Sequence, residues 1–116
     1  MKRFQIILIN SIFVLFSSMA VSQDLEELIL EPGFKISIYA RNLDSPRQMA
    51  EGKNGVIFVG ERGGQIIALI DSDNNGESDS KITIANNLTY STGISLFNGD
   101  LYFSEISKIW KIENIE

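Results

Sequence analysis

The 116-residue chain has no cysteine and no histidine. Without cysteine there is no disulfide framework, no thiolate nucleophile and no Cys-based zinc or iron–sulfur site. Without histidine the commonest general base and metal ligand is missing as well. Catalysis by these residues alone would have to use carboxylates, lysine, tyrosine or a bound cofactor. Basic charge is also scarce. Ten Lys and Arg stand against fifteen Asp and Glu, a formal charge of −5. Removing Lys2 and Arg3 with a leader makes the balance more negative still, so no basic patch suggests nucleic acid or anionic lipid as a partner.

The amino terminus reads as a secretory signal peptide over 1–22. Met1-Lys2-Arg3 is followed by an apolar run from Phe4 to Phe16, too short to span a bilayer comfortably, and then by small residues. Ala20-Val21-Ser22 suits cleavage before Gln23, and cleavage after Ala20 is the alternative. The expected location is periplasmic or secreted, with no stable membrane anchor after cleavage. A short helix and linker are expected over 23–33, with Asp24 as N-cap, an apolar stripe at Leu25, Leu28 and Ile29, and Pro32-Gly33 as the stop.

From residue 34 onward the pattern changes to strands and turns. Phe34, Ile36 and Ile38 alternate with Lys35, Ser37 and Tyr39, the period of a half-buried strand. The stretch Asn54–Asp79 then holds a turn, the apolar run Val56–Val59, a corner Glu61-Arg62-Gly63-Gly64, the run Ile66–Ile70 and an acidic loop. Its grammar returns at Asn98–Ile112 at a spacing of 44, with Gly99 for Gly55, Tyr102 for Phe58, Phe103 for Val59 and Glu105 for Glu61. The lead-in Ala40-Arg41-Asn42-Leu43 returns as Ala85-Asn86-Asn87-Leu88 at a spacing of 45. Repeats of roughly 40 to 50 residues built from short strands point to four-stranded propeller blades. A generic β-meander with coincidental spacing is the plainer alternative.

The expected strands of the first unit are Gln48–Ala50, Val56–Gly60, Gln65–Ile70 and Lys81–Ala85, and of the second Gly93–Phe97, Leu101–Ser104 and Lys108–Ile112. The strand over 34–40 matches the fourth strand of the next unit and lacks inner strands of its own. The expected fold is therefore all-β: about one and a half blades over 34–116, a propeller fragment incomplete at its C-terminal end. Strand alternation puts Pro46-Arg47, Glu61-Arg62 and Ser91-Thr92 on one rim and the acidic loop on the other. Trp110 is expected to pack between blades.

In that loop, Asp71, Asp73 and Asn75 offer oxygens at positions 1, 3 and 5 of a calcium-loop pattern. Gly76 permits the sharp turn, Glu77 offers its carbonyl at 7, and Asp79 stands at 9. The pattern's bidentate Glu at position 12 is replaced by Ile82. A solvated Asp/Asn/Gly turn without a metal is the alternative.

Together, Gly33–Ala40, the Arg47-Gln48-Met49-Ala50 step, Phe58–Leu69, the acidic loop and Asn98–Glu116 resemble the start of the sorbosone dehydrogenase-like group of pyrroloquinoline quinone (PQQ)-dependent sugar dehydrogenases, relatives of soluble glucose dehydrogenase. The resemblance spans Leu25–Glu116 and is carried by the order and spacing of these segments. It implies a six-bladed propeller that oxidises an aldose or related alcohol with PQQ held over the central channel and Ca²⁺. It also implies a histidine base and further basic residues beyond the region represented here, so no catalytic residue is assigned and the chain alone is expected to be inactive. Arg47 and Arg62 match the family's cofactor-facing rim, while Ser91 and Thr92 depart from its usual Asn-Gly step. For the arginines, the plainer reading is a surface position or pairing with Glu61 and Glu51. A non-catalytic extracellular propeller that serves as a binding scaffold is the rival reading. A calcium-dependent lactonase ranks last, since the inner strands Gln48-Met49-Ala50 and Gly93-Ile94-Ser95 supply no carboxylates.

Overall fold

A computed structural model describes Leu25 and residues 28–116. The expected signal peptide over 1–22 lies outside the described residues, as do Asp24, Glu26 and Glu27 of the expected short helix. Residues 28–30 take no regular form. Among the described residues Ile29 is fully exposed and Leu28 about half exposed, so this end of the apolar stripe is not packed. A segment this short cannot sustain a helix without tertiary packing.

Seven strands follow: β1 (Pro46–Glu51), β2 (Ile57–Glu61), β3 (Gln65–Ile70), β4 (Ser80–Ala85), β5 (Ile94–Phe97), β6 (Asp100–Ser104) and β7 (Ile109–Ile112). They form two antiparallel sheets, β1-β2-β3-β4 and β5-β6-β7. Turn chemistry explains the joints. Asn98 and Gly99 form a two-residue hairpin loop with φ of 52° and 84°, the left-handed pair that a hairpin between twisted strands favours. Arg62-Gly63-Gly64 joins β2 to β3, with Gly64 at φ 93° and its N–H donating to the Glu61 carbonyl at 3.0 Å.

The spacing of about 45 residues is repeated in the backbone as well as in the sequence. Asn42 and Asn87 take φ of 56° and 57°, and Ser45 and Tyr90 take 54° and 60°. These non-glycine residues hold the sparsely populated left-handed region at matching places in the two lead-ins.

Side-chain alternation gives the first sheet two apolar faces. Phe58, Ile66 and Ala68 point to one side and cluster with Leu101 and Phe103 of the second sheet. Val59, Ile67 and Leu69 point to the other, where Tyr39, Ala40 and Leu43 cover them. Ile66, Ile67 and Leu101 are wholly buried. At the spacing of 44, Leu101 and Phe103 stand where Ile57 and Val59 stand in the first sheet. The two sheets therefore stack front to back, the Phe58 face of one against the Val59-type face of the other.

The lead-ins obey the same rule. Ile84, Ala85 and Leu88 pack on the cluster containing Leu101 and Phe103, as Tyr39, Ala40 and Leu43 pack on that containing Val59, Ile67 and Leu69. Residues 34–40 join neither sheet, and Phe34 and Ile36 are exposed.

Candidate functional site

The Arg47 rim is built by strand ends. Pro46 of β1 pairs with Glu61 of β2, and a register shift between Pro46 and Gln48 leaves Arg47 outside the ladder. Pro46, Arg47 and Gln48 line a shallow cleft with Thr92. The two sheets meet here through β1 and β5, where Gln48 Oε1 accepts the Ile94 N–H at 3.3 Å. Arg62 is turned to another neighbour, its guanidinium carbon 4.5 Å from the centre of the Tyr90 ring. Pairing of Arg47 or Arg62 with Glu61 or Glu51 does not occur: neither guanidinium forms an ion pair among the described residues. Both arginines are exposed.

Glu61 is instead a brace. Its side chain is buried and Oε1 accepts the Asp44 N–H at 2.8 Å, while the Arg62 N–H donates to the Ser45 carbonyl at 3.0 Å. Glu105 does the same in the second unit, accepting the Thr89 N–H on one oxygen and the Trp110 Nε1–H at 2.7 Å on the other. The match of Glu61 to Glu105 at a spacing of 44 is the sequence signal of this role. Trp110 lies on the same face of its sheet as Phe103, opposite which it pairs, and remains partly exposed.

These hydrogen bonds, with Thr89 first and Lys108 adding its charge, hold the Glu105 carboxyl below the ordinary 4.5. A depressed folded-state value means the stabilisation is complete above the unfolded value and is lost as pH falls through the folded one. Glu105→Gln should therefore lower the melting temperature at pH 7, and the gap to the parent protein should close as pH falls through the depressed folded-state value, below the ordinary 4.5. Melting curves of both proteins between these limits provide the check; a gap that stays constant with pH would remove the charge from the brace.

Ser91 has a place in the fold that the sequence does not mark. It is wholly buried beside Gly60, where a Cβ on Gly60 would come within 3.3 Å of Ser91 Oγ, and that hydroxyl has no hydrogen-bond partner among the described residues.

The acidic loop lies on the opposite rim, between the end of β3 and the start of β4. Asp71, Asp73 and Asp79 each bring a carboxylate oxygen to within 4.8 Å of the others. The loop's own amides organise them. Asp71 accepts from Asn75 N at 3.1 Å and Gly76 N at 2.9 Å, and Asp79 Oδ2 accepts from both Ser72 N and Ser72 Oγ at 2.6 Å. The Ser72 bonds draw the Asp79 carboxyl below its usual range. Within the loop Asn75 Oδ1 accepts the Glu77 N–H at 2.8 Å, and the Glu77 carboxylate lies 3.9 Å from Arg41 Nε. Tyr39, whose carbonyl accepts the Ser78 N–H at 2.7 Å, ties the lead-in to this loop. Burial, then Asp71, Glu51 and Asp79, push its hydroxyl above the usual value.

No family model and no solved structure matches the chain. A curated protein of Borreliella burgdorferi described as uncharacterized is 30% identical over 112 residues, an alignment that takes in 94% of this chain. The chain spans 28% of the length of that relative.

Proposed function

We propose that the two sheets are successive blades of a β-propeller, and that the whole protein is a secreted or periplasmic quinoprotein dehydrogenase oxidising an aldose or related alcohol. The observation that carries this reading is the front-to-back stacking of two units in the same register, with first strands β1 and β5 adjoining. Front-to-back contacts of one repeated unit generate a ring when the rotation closes. The segments that enter these first strands then crowd one rim around a channel.

The fit of the chain to PQQ rests on that rim. Arg47 is exposed, free of ion pairs among the described residues, and shares its cleft with Gln48 and Thr92. A guanidinium of this kind suits the carboxylates of PQQ, which it can bind in a bidentate fashion. Arg62, stacked on Tyr90, would flank them. The quinone supplies the two-electron acceptor; this chain's residues bind and orient it, and the base that takes the substrate proton belongs to sequence beyond them. Reconstitution of the full-length protein with PQQ and Ca²⁺, followed by dye-linked oxidation of a panel of aldoses and polyols, tests the reading. Turnover on at least one is expected, and a protein that binds no quinone and turns over none of them is a scaffold instead. In the same assay Arg47→Ala should weaken quinone affinity about ten- to a hundredfold, the loss of a charge-assisted hydrogen bond of about 1.5–3 kcal/mol. Unchanged affinity would take Arg47 out of the site.

On the opposite rim, the oxygen-only donors Asp71, Asp73 and Asp79 suit a hard cation, and we assign the loop a structural Ca²⁺. With three carboxylates and no bidentate Glu, affinity should lie in the range of extracellular modules, roughly 10⁻⁴ to 10⁻³ M. At about 10 mM Ca²⁺ this stabilises the fold by about 1.4–2.7 kcal/mol. Asp73→Ala should abolish that calcium-dependent rise in melting temperature and leave quinone-saturated turnover nearly unchanged. Loss of quinone binding with the calcium response intact would put the loop on the wrong rim.

A further inference from the structure

We propose that Ser91 is a further binding residue of the Arg47 cleft, its hydroxyl donating to the carboxylate that Arg47 holds. The inference rests on the quinone reading and adds to it a residue that meets no solvent in the free protein.

Ser91 is wholly buried, and its hydroxyl has no hydrogen-bond partner among the described residues. A buried hydroxyl in this state costs stability, so its presence calls for a reason. The repeat supplies none. At a spacing of 45 the counterpart of Tyr90 is Ser45, which shares its left-handed backbone, and the counterpart of Ser91 is then Pro46. The first unit thus makes the same bend without a side-chain donor at this place.

Position supplies the reason. Ser91 precedes Thr92, which lines the cleft with Pro46, Arg47 and Gln48. A Cβ on Gly60 would lie 3.3 Å from Ser91 Oγ and 3.9 Å from the Gln48 carbonyl, and Gly60 pairs with Gln48 across β1 and β2. The hydroxyl is therefore lodged beside two of the residues that line the cleft, in space that a side chain at position 60 would take. Gln48 already accepts the Ile94 N–H with Oε1, so its Nε2 group is what it has left to offer a ligand. The guanidinium of Arg47, Nε2 of Gln48 and the hydroxyls of Thr92 and Ser91 can all donate, which is the set an anion requires.

The backbone just before Ser91 gives the hydroxyl a way to turn. Tyr90 holds a φ of 60°, a genuine outlier for a bulky residue, and its ring lies 4.5 Å from the Arg62 guanidinium carbon. Strain of this kind persists where the surroundings impose it and gathers at ligand sites. A carboxylate on Arg47 that draws Ser91 toward the cleft gives the buried hydroxyl an acceptor and lets Tyr90 leave its strained conformation.

Full-length protein carrying Ser91→Ala is compared with the parent by thermal melting without quinone and by calorimetric titration with PQQ. The free variant should melt at the parent's temperature or above it, because a buried donor without a partner has been removed. Its PQQ dissociation constant should rise about tenfold, the loss of one hydrogen bond to a charged acceptor. An unchanged dissociation constant would overturn the proposal. A variant that melts below the parent would overturn it whatever its affinity, since the hydroxyl then already makes a bond in the free protein, as to an internal water. A parent that binds no PQQ removes the quinone reading itself, whereas a parent that binds and a variant that matches it remove Ser91 alone.

Discussion

Phe58→Ala should destabilise the protein by about 3–5 kcal/mol, measured by urea or thermal unfolding. Phe58 is buried in the cluster that joins the two sheets, among Ile66, Ala68, Leu101 and Phe103. Truncation removes its transfer free energy and leaves a cavity that wholly buried Ile66 and Leu101 cannot collapse into without separating the sheets. Domains of this size have a total stability of about 5–15 kcal/mol, so the loss is a large fraction of the whole. Ile109→Ala, at an exposed position of β7, should cost well under about 1 kcal/mol in the monomer by the same measurement. A cost for Phe58→Ala below about 1 kcal/mol would mean the sheets are not packed on one another in solution.

The second large effect belongs to Gly64. Its φ of 93° is one that side-chain-bearing residues rarely adopt, and a Cβ there would run into the Leu88 carbonyl. That carbonyl cannot retreat cheaply, because the Leu88 N–H donates to Gly64 O at 3.0 Å and fixes the two backbones together. Gly64→Ala should therefore cost about 3 kcal/mol or more, the sum of a left-handed penalty of about 1–2 kcal/mol and a backbone clash. Gly55→Ala isolates the first term, since Gly55 also has positive φ, 75°, but open space around it. Its cost should stay near about 1–2 kcal/mol. The consequence for function follows from position: Leu88 leads directly to Tyr90, Ser91 and Thr92, so a displaced Leu88 moves the far wall of the Arg47 cleft. Equal costs for the two variants would show that the Leu88 contact carries no constraint.

Much of this arrangement is legible in the sequence because it depends on local signals. The seven strands lie within two residues of their expected ends, since alternation and glycine turns fix them. The placement of Arg47 and Arg62 on one rim and Asp71–Asp79 on the other follows from antiparallel order alone. What is not legible depends on partners distant in the chain. The helix expected over 24–30 has a cap and an apolar stripe, yet residues 28–30 stay exposed among the described residues. Glu61 reads in sequence as a candidate partner for arginine, and only the folded lead-in brings the Asp44 N–H to its oxygen. Ser91, as a loop residue, gives no sign of complete burial; that comes from the approach of Gly60.

The front-to-back stacking of the two repeats is tested most directly by a double-mutant cycle on Phe58 and Phe103, one from each sheet. Phe58→Ala, Phe103→Ala and the double variant are unfolded in urea under one set of conditions. Residues in one packed cluster should be coupled, with an interaction free energy between about 0.5 and 3 kcal/mol. Additivity within about 0.3 kcal/mol would contradict the stacked pair and describe two independent sheets.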